Sequence, residues 1–190
     1  ALGTAEVTPL ELTQAFAHMA NDGKQVRAYG VLEIRTQSGR ILFERSDDYE
    51  PPKILDKDIV GNMNSMLKAV VNSGTAKRAR LPREVGGKTG TAEKIEIDGY
   101  SKKANVTTFA AVFPVHDPRY VIITMIDEPK GQKHSFGYAT AGWVAAPPIR
   151  PIVEQIAPLL GILPVDENSP SIRQKLMFDF KIDNEEVTLA

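Results

Sequence analysis

The sequence predicts an α+β fold in which an antiparallel sheet is flanked by helices. Three observations carry this expectation. Two capped segments place apolar residues at helical spacing, three strand-like runs follow one another between residues 85 and 127, and an Ala- and Ile-rich segment comes after residue 138. At 190 residues and 42% apolar, the chain is long enough for one domain with a sizeable core.

The first helix opens at Thr8-Pro9-Leu10-Glu11, where a threonine cap, a proline at the first helical position and a glutamate three residues on form a capping-box pattern. Leu12, Phe16 and Met19 share one face of it, and Asn21-Asp22-Gly23 closes it. Val26 to Glu33 and Arg40 to Glu44 then read as the strands of a hairpin around Thr36-Gln37-Ser38-Gly39. After Pro51-Pro52, Asp56 is placed to cap a second helix whose apolar stripe is Ile59, Met63, Met66, Leu67 and Val70, and Asn72-Ser73-Gly74 stops it. Val85 to Ile97, Asn105 to Phe113 and Tyr120 to Asp127 read as successive antiparallel strands, with turns at Asp98-Gly99 and Asp117-Pro118. Tyr138 to Leu160 is expected to form a last long helix, bent where Pro147, Pro148 and Pro151 remove donors. Beyond Pro164 no period is visible, as in a partly ordered tail.

Composition excludes some chemistry. With 23 basic and 24 acidic residues and no long same-sign run, nothing suggests a nucleic-acid surface. Zero cysteines rule out disulfides and thiolate catalysis. His18, His116 and His134 have no spacing that would build a metal site or a Ser-His-Asp triad, so no metal is expected. The longest apolar runs, such as Val121 to Ile126, fall far short of the roughly 20 residues that cross a bilayer. The chain starts at Ala1 without a signal-like segment, and is expected to be a piece cut from a longer protein.

Gly86-Gly87-Lys88-Thr89-Gly90-Thr91 is the stretch that carries chemistry. A phosphate-binding loop would need glycine at position 82, which is Pro82, and a helix afterwards; Ala92 to Ile97 alternates like a strand instead. The other mechanism is the K-T-G element of serine acyl-enzymes, which also carry S-x-x-K and S-x-N motifs, as in penicillin-binding proteins and serine β-lactamases. A strand of this kind binds an extended peptide through its backbone, while a lysine and hydroxyls hold a carboxylate and glycines keep side chains out of the way. An isolated K-T-G is more often a plain glycine-containing strand, so the flanking sequence has to decide.

That flanking sequence resembles the C-terminal part of class B penicillin-binding proteins, the monofunctional transpeptidases of cell elongation and division. The matching stretches are Val7-Thr8-Pro9-Leu10, Asn21-Asp22-Gly23, Val70 to Ala76, Gly87 to Glu93 and Ala145-Ala146-Pro147, in the family's order. Gly-Thr-Ala shortly before Gly-Lys-Thr-Gly-Thr-Ala looks more like a division-type enzyme than a β-lactamase. The resemblance implies a β-lactamase/transpeptidase-like fold, with residues 1–163 as the C-terminal portion of a transpeptidase domain and 164–190 as a tail. It implies that Lys88 and Thr91 are catalytic, that Lys88, Thr89, Gly90 and Thr91 bind substrate, and that the Thr91 N–H is one of two oxyanion donors. It further implies a parent that cross-links peptidoglycan stem peptides, is acylated by β-lactams, needs no cofactor, associates with cell-division proteins and is anchored on the periplasmic face of the inner membrane.

The family's nucleophile and S-x-N precede the Thr-Pro-Leu helix, so this chain begins just after them and is expected to be inactive alone, pairing with the missing half or self-associating. Ser65-Met66-Leu67-Lys68 imitates S-x-x-K, but it lies in the wrong place, and Ser65 aligns with Asn62 and Asn72 on what reads as a solvated face. Ser46-Asp47-Asp48 imitates the second motif in a charged surface turn. Thr8-Pro9 and Gly74-Thr75 read as helix punctuation without a chemical role. Two other readings stand beside this one: a noncatalytic sensor of cell-wall peptide or β-lactam, and a fragment of a serine β-lactamase.

Overall fold

The computed structural model describes residues 6–46, 48–96, 99–166 and 169–172. Helix α1, Pro9–Met19, starts with the expected capping box: Thr8 Oγ1 accepts from the Glu11 N–H at 3.2 Å, and Glu11 Oε2 accepts from the Thr8 N–H at 2.7 Å. Its inward residues, Phe16 and Met19, lie among Leu55, Leu67, Val112 and Val121.

Strands β1, Glu33–Arg35, and β2, Ile41–Glu44, pair antiparallel around the Thr36–Gly39 turn, with Ile34 opposite Phe43. The first strand was expected from Val26, but it is only three residues long. The Val26 carbonyl is engaged by side chains of α1, lying 3.4 Å from Gln14 Nε2 and 3.3 Å from His18 Nε2, which draws this stretch onto the helix instead of into a ladder.

Helix α2 spans Lys57–Asn72. Asp56 holds the N-cap position in extended backbone, but its carboxylate pairs with Lys53 at 3.3 Å and makes no capping bond. The buried face is Val60, Asn64, Leu67 and Val71, whereas Ile59 and Met66 are exposed. The expected stripe is therefore rotated, and Ser65, Asn62 and Asn72 are half-buried instead of solvated. The sheet sets this rotation. Leu67 sits against Gly86, where an added Cβ would come within 3.0 Å of the Leu67 Cβ.

The central sheet has the order β3-β4-β5, all antiparallel, formed by Gly86–Glu96, Gly99–Phe113 and Tyr120–Asp127. β4 begins before the expected Asn105, beyond a register shift between Glu93 and Ile95, and residue 98 of the expected turn lies outside the described residues. Side chains alternate across a strand, so the two faces carry different sets. Phe109, Ala111 and Phe113 pack with Ala76, Ala79, Ala145, Ile149 and Val153, while Val112 and Val121 meet Met19 and Leu67. Helices thus cover both faces.

The segment expected as one bent helix is divided into α3, Ala141–Val144, and α4, Ile149–Leu159. Pro147 and Pro148 lie in the break. Neither has an N–H to donate, and together they end α3 and precondition the start of α4. Most of the tail expected from residue 164 onward lies outside the described residues.

Candidate active site

β3 lies at one edge of the three-stranded sheet, so its outer backbone has no strand partner among the described residues. The motif occupies this edge. Lys88 is exposed, and its Nζ donates to the Thr89 carbonyl at 2.6 Å. That carbonyl therefore points away from β4. In an extended strand the backbone two residues further on points the same way, so the N–H and C=O of Thr91 also face outward.

Two glycines shape the strand. A Cβ at Gly87 would lie 2.6 Å from the Ala110 carbonyl and 2.8 Å from a Phe109 ring carbon, so only glycine lets β4 close against β3 here. At Gly90 the one close atom is the Thr108 hydroxyl at 2.6 Å.

Two hydroxyls on the strand are tied to other elements. Thr91 Oγ1 accepts from the Ala141 N–H, at the start of α3, at 3.2 Å. Thr89 Oγ1 lies 2.9 Å from Thr75 Oγ1. Thr75 sits in the connection after α2, where the Ala76 N–H bonds the Val70 carbonyl at 3.1 Å, and its own carbonyl abuts Gly142, leaving no room there for a Cβ. Gly74-Thr75 was expected to be punctuation only; in the fold it reaches the motif.

Beside α3 stands an aromatic group. The Arg78 guanidinium lies 3.2 Å from the Trp143 ring centre, and Tyr138 and Phe136 pack on Trp143 at 5.8 and 5.7 Å. Nothing in the periodicity of the sequence marked these residues, because they come from separate short elements: Arg78 from a 3-10 turn after α2, Trp143 from α3, and Phe136 and Tyr138 from the connection before α3.

The imitations of the missing motifs are occupied otherwise. The Lys68 ammonium forms an ion pair with Glu84 at 2.6 Å. Ser46 Oγ donates to Asp48 Oδ2 at 2.7 Å on an exposed turn, and residue 47 lies outside the described residues. His18 is on α1, His116 between β4 and β5 and His134 in a 3-10 turn, and no group of three potential ligands that could hold a metal occurs among the described residues.

The family model described as the penicillin binding protein transpeptidase domain matches residues 1–154. The chain belongs to the penicillin-binding protein transpeptidase family. A probable peptidoglycan D,D-transpeptidase FtsI of Caulobacter vibrioides is 36% identical over 167 residues, covering 82% of this chain and 26% of that protein. The FtsI homolog of Mesostigma viride is 34% identical over 83% of the chain and 28% of its own length. The chain thus spans about a quarter of these transpeptidases. Among solved structures, penicillin-binding protein 3 of Mycobacterium tuberculosis complexed with ampicillin matches with a TM-score of 0.72 and 26% identity, covering 86% of this chain and 37% of that one. The transpeptidase domain of Burkholderia pseudomallei penicillin-binding protein 3 matches at 0.63 with 28% identity, covering 86% and 45%. The expected α+β, transpeptidase-like fold and the resemblance to a class B penicillin-binding protein both hold.

Proposed function

We propose that Lys88, Thr89, Gly90 and Thr91 form the substrate edge of a peptidoglycan D,D-transpeptidase, supplied by this chain to a serine nucleophile carried elsewhere in the protein. The observation that carries the reading is the free edge of β3, where an exposed lysine, two hydroxyls and an outward Thr91 N–H stand within four consecutive residues. A D-alanyl-D-alanine stem peptide lies along that edge as an added strand, its terminal carboxylate held by Thr89 and Thr91 near the charge of Lys88. The serine attacks the penultimate carbonyl, and the Thr91 N–H stabilises the oxyanion. D-Alanine then leaves with a proton, and an amine from a neighbouring stem resolves the acyl-enzyme. β-Lactams acylate the same serine.

In this reading the parent works on the periplasmic face of the inner membrane, anchored by a segment outside this chain, beside other cell-division proteins. The exposed side chains of Leu32, Leu42, Phe43 and Leu159 belong to surface that the rest of the domain, or a second copy, covers. A monodisperse lone monomer of the 190-residue chain in light scattering counts against such cover.

The test is intact-mass spectrometry of the full-length protein after incubation with a penicillin, followed by peptide mapping. A penicilloyl adduct on a serine outside this chain supports the proposal. Saturable binding without an adduct favours a sensor, rapid turnover of the antibiotic favours a β-lactamase, and an adduct on Ser65 overturns the site.

A further inference from the structure

The two hydroxyls assigned to the ligand carboxylate are supported from behind, in ways that differ in what they fix. A hydroxyl has one proton and can also accept, whereas an ionised carboxylate only accepts. Thr91 Oγ1 accepts from the Ala141 N–H, a bond that runs in one direction only. Its own proton is left for donation toward the free edge.

Thr89 faces the same requirement. Its neighbour is Thr75 Oγ1 at 2.9 Å, and that bond can run either way. With Thr89 as donor, its proton is directed at Thr75, and only lone pairs face an incoming anion. With Thr75 as donor, the Thr89 proton turns to the carboxylate, making a charge-assisted bond of the stronger kind.

We propose that Thr75 is a positioning residue: when a carboxylate binds, its hydroxyl donates to Thr89 Oγ1 and turns the Thr89 proton toward the ligand. Thr75 is held for this from both sides. The following Ala76 and Ala79 are fully buried, and Gly142 brings α3 directly against the Thr75 carbonyl. Ala141 is the chain neighbour of Gly142, so the hydroxyls of Thr89 and Thr91 are backed at one junction, with Thr75 on one side of it and α3 on the other.

The inference rests on the reading of Thr89 as a carboxylate ligand. Its test uses the full-length protein, with penicillin acylation followed over a concentration series in Thr75→Val, Thr75→Ser, Thr89→Val and the Thr75→Val/Thr89→Val double variant. Thr75→Val keeps the shape and removes the donor. It is expected to lower the second-order acylation constant about 3- to 10-fold, chiefly by weakening the initial complex, at an unchanged melting temperature. Thr75→Ser restores the constant to within about twofold, and the double variant is no slower than Thr89→Val alone. Unchanged acylation in Thr75→Val, effects that multiply in the double variant, or failure of serine to rescue overturns the inference while leaving the proposed function intact. An unmodified protein that forms no adduct overturns both.

Discussion

The Lys68 ammonium on α2 lies 2.6 Å from the carboxylate of Glu84, whose side chain is 1% exposed against 22% for the lysine. Glu84 stands two residues before β3, and its carbonyl accepts from the Val115 N–H at 2.9 Å. The pair therefore ties α2 to the base of the strand that carries Lys88. Unequal burial makes the two deletions unequal. Lys68→Met removes the ammonium that faces a buried carboxylate and is expected to destabilise the domain by about 3 kcal/mol. Glu84→Gln leaves an ammonium that can turn to water, and about 1–2 kcal/mol is expected. Urea denaturation of both variants measures the difference, and equal losses contradict the assignment.

The two glycines flanking Lys88 and Thr89 separate folding from ligand approach. A methyl at Gly87 meets the Ala110 carbonyl and the Phe109 ring, neither of which can move without opening the sheet. Gly87→Ala is expected to cost about 1–3 kcal/mol. A methyl at Gly90 meets only the Thr108 hydroxyl, the end of a side chain that can rotate away. Gly90→Ala is expected to stay within about 0.5 kcal/mol of the parent. Acylation of the full-length protein by penicillin should nevertheless fall on the order of 10- to 100-fold, because the ligand can no longer lie close to the strand. Thermal melting paired with acylation kinetics checks both halves.

Acid should loosen the start of α1 before the sheet. Hydrogen bonds from the Thr8 backbone and then from its hydroxyl hold the Glu11 carboxyl below its ordinary value of 4.5. Since the folded value is the lower one, this contribution is complete above the ordinary value and is lost as pH falls through the depressed one. Amide exchange at Thr8 and at residues 10–12 should therefore accelerate with acid relative to that of β4. Glu11→Gln, which keeps an acceptor for the Thr8 N–H, should remove that pH dependence. Its persistence in the variant assigns the titration to another group.

What was legible in the sequence was local. The Thr8 and Glu11 box needs four residues, and the sheet's three strands each announce themselves by composition and turns. The rotation of α2 was not legible, because the buried face of Val60, Asn64, Leu67 and Val71 includes a polar residue that an apolar period passes over, and Leu67 is turned inward by its contact with Gly86. Val26 left the expected strand because α1 captured its carbonyl, which no local pattern encodes. At the site, Lys88 to Thr91 stood out as a motif, whereas Thr75 and Ala141 reach it from 14 and 50 residues away. The one signal for Thr75 was that Gly74-Thr75-Ala76 keeps its place ahead of the K-T-G strand in the family's order. It was read as punctuation because it also ends a helix.

The division of labour between the two lysine-bearing motifs gives the most direct test of the site. Lys88 is exposed at the free edge and its Nζ rests on the Thr89 carbonyl, a bond that a ligand carboxylate can replace without disturbing the core. Lys88→Ala should leave the melting temperature of the full-length protein unchanged while slowing penicillin acylation on the order of 10²- to 10³-fold, the usual scale for losing one preorganised electrostatic group. Ser65 sits on α2 three residues from a lysine already paired with Glu84, so Ser65→Ala should acylate at the parent rate. If Ser65→Ala abolishes the adduct while Lys88→Ala keeps it, the chemistry belongs to α2 and the edge of β3 is only a strand. The reverse result places the ligand on β3, where the alternation of the strand puts Thr89 and Thr91 together on one face and Lys88 on the other, with the open backbone edge between them.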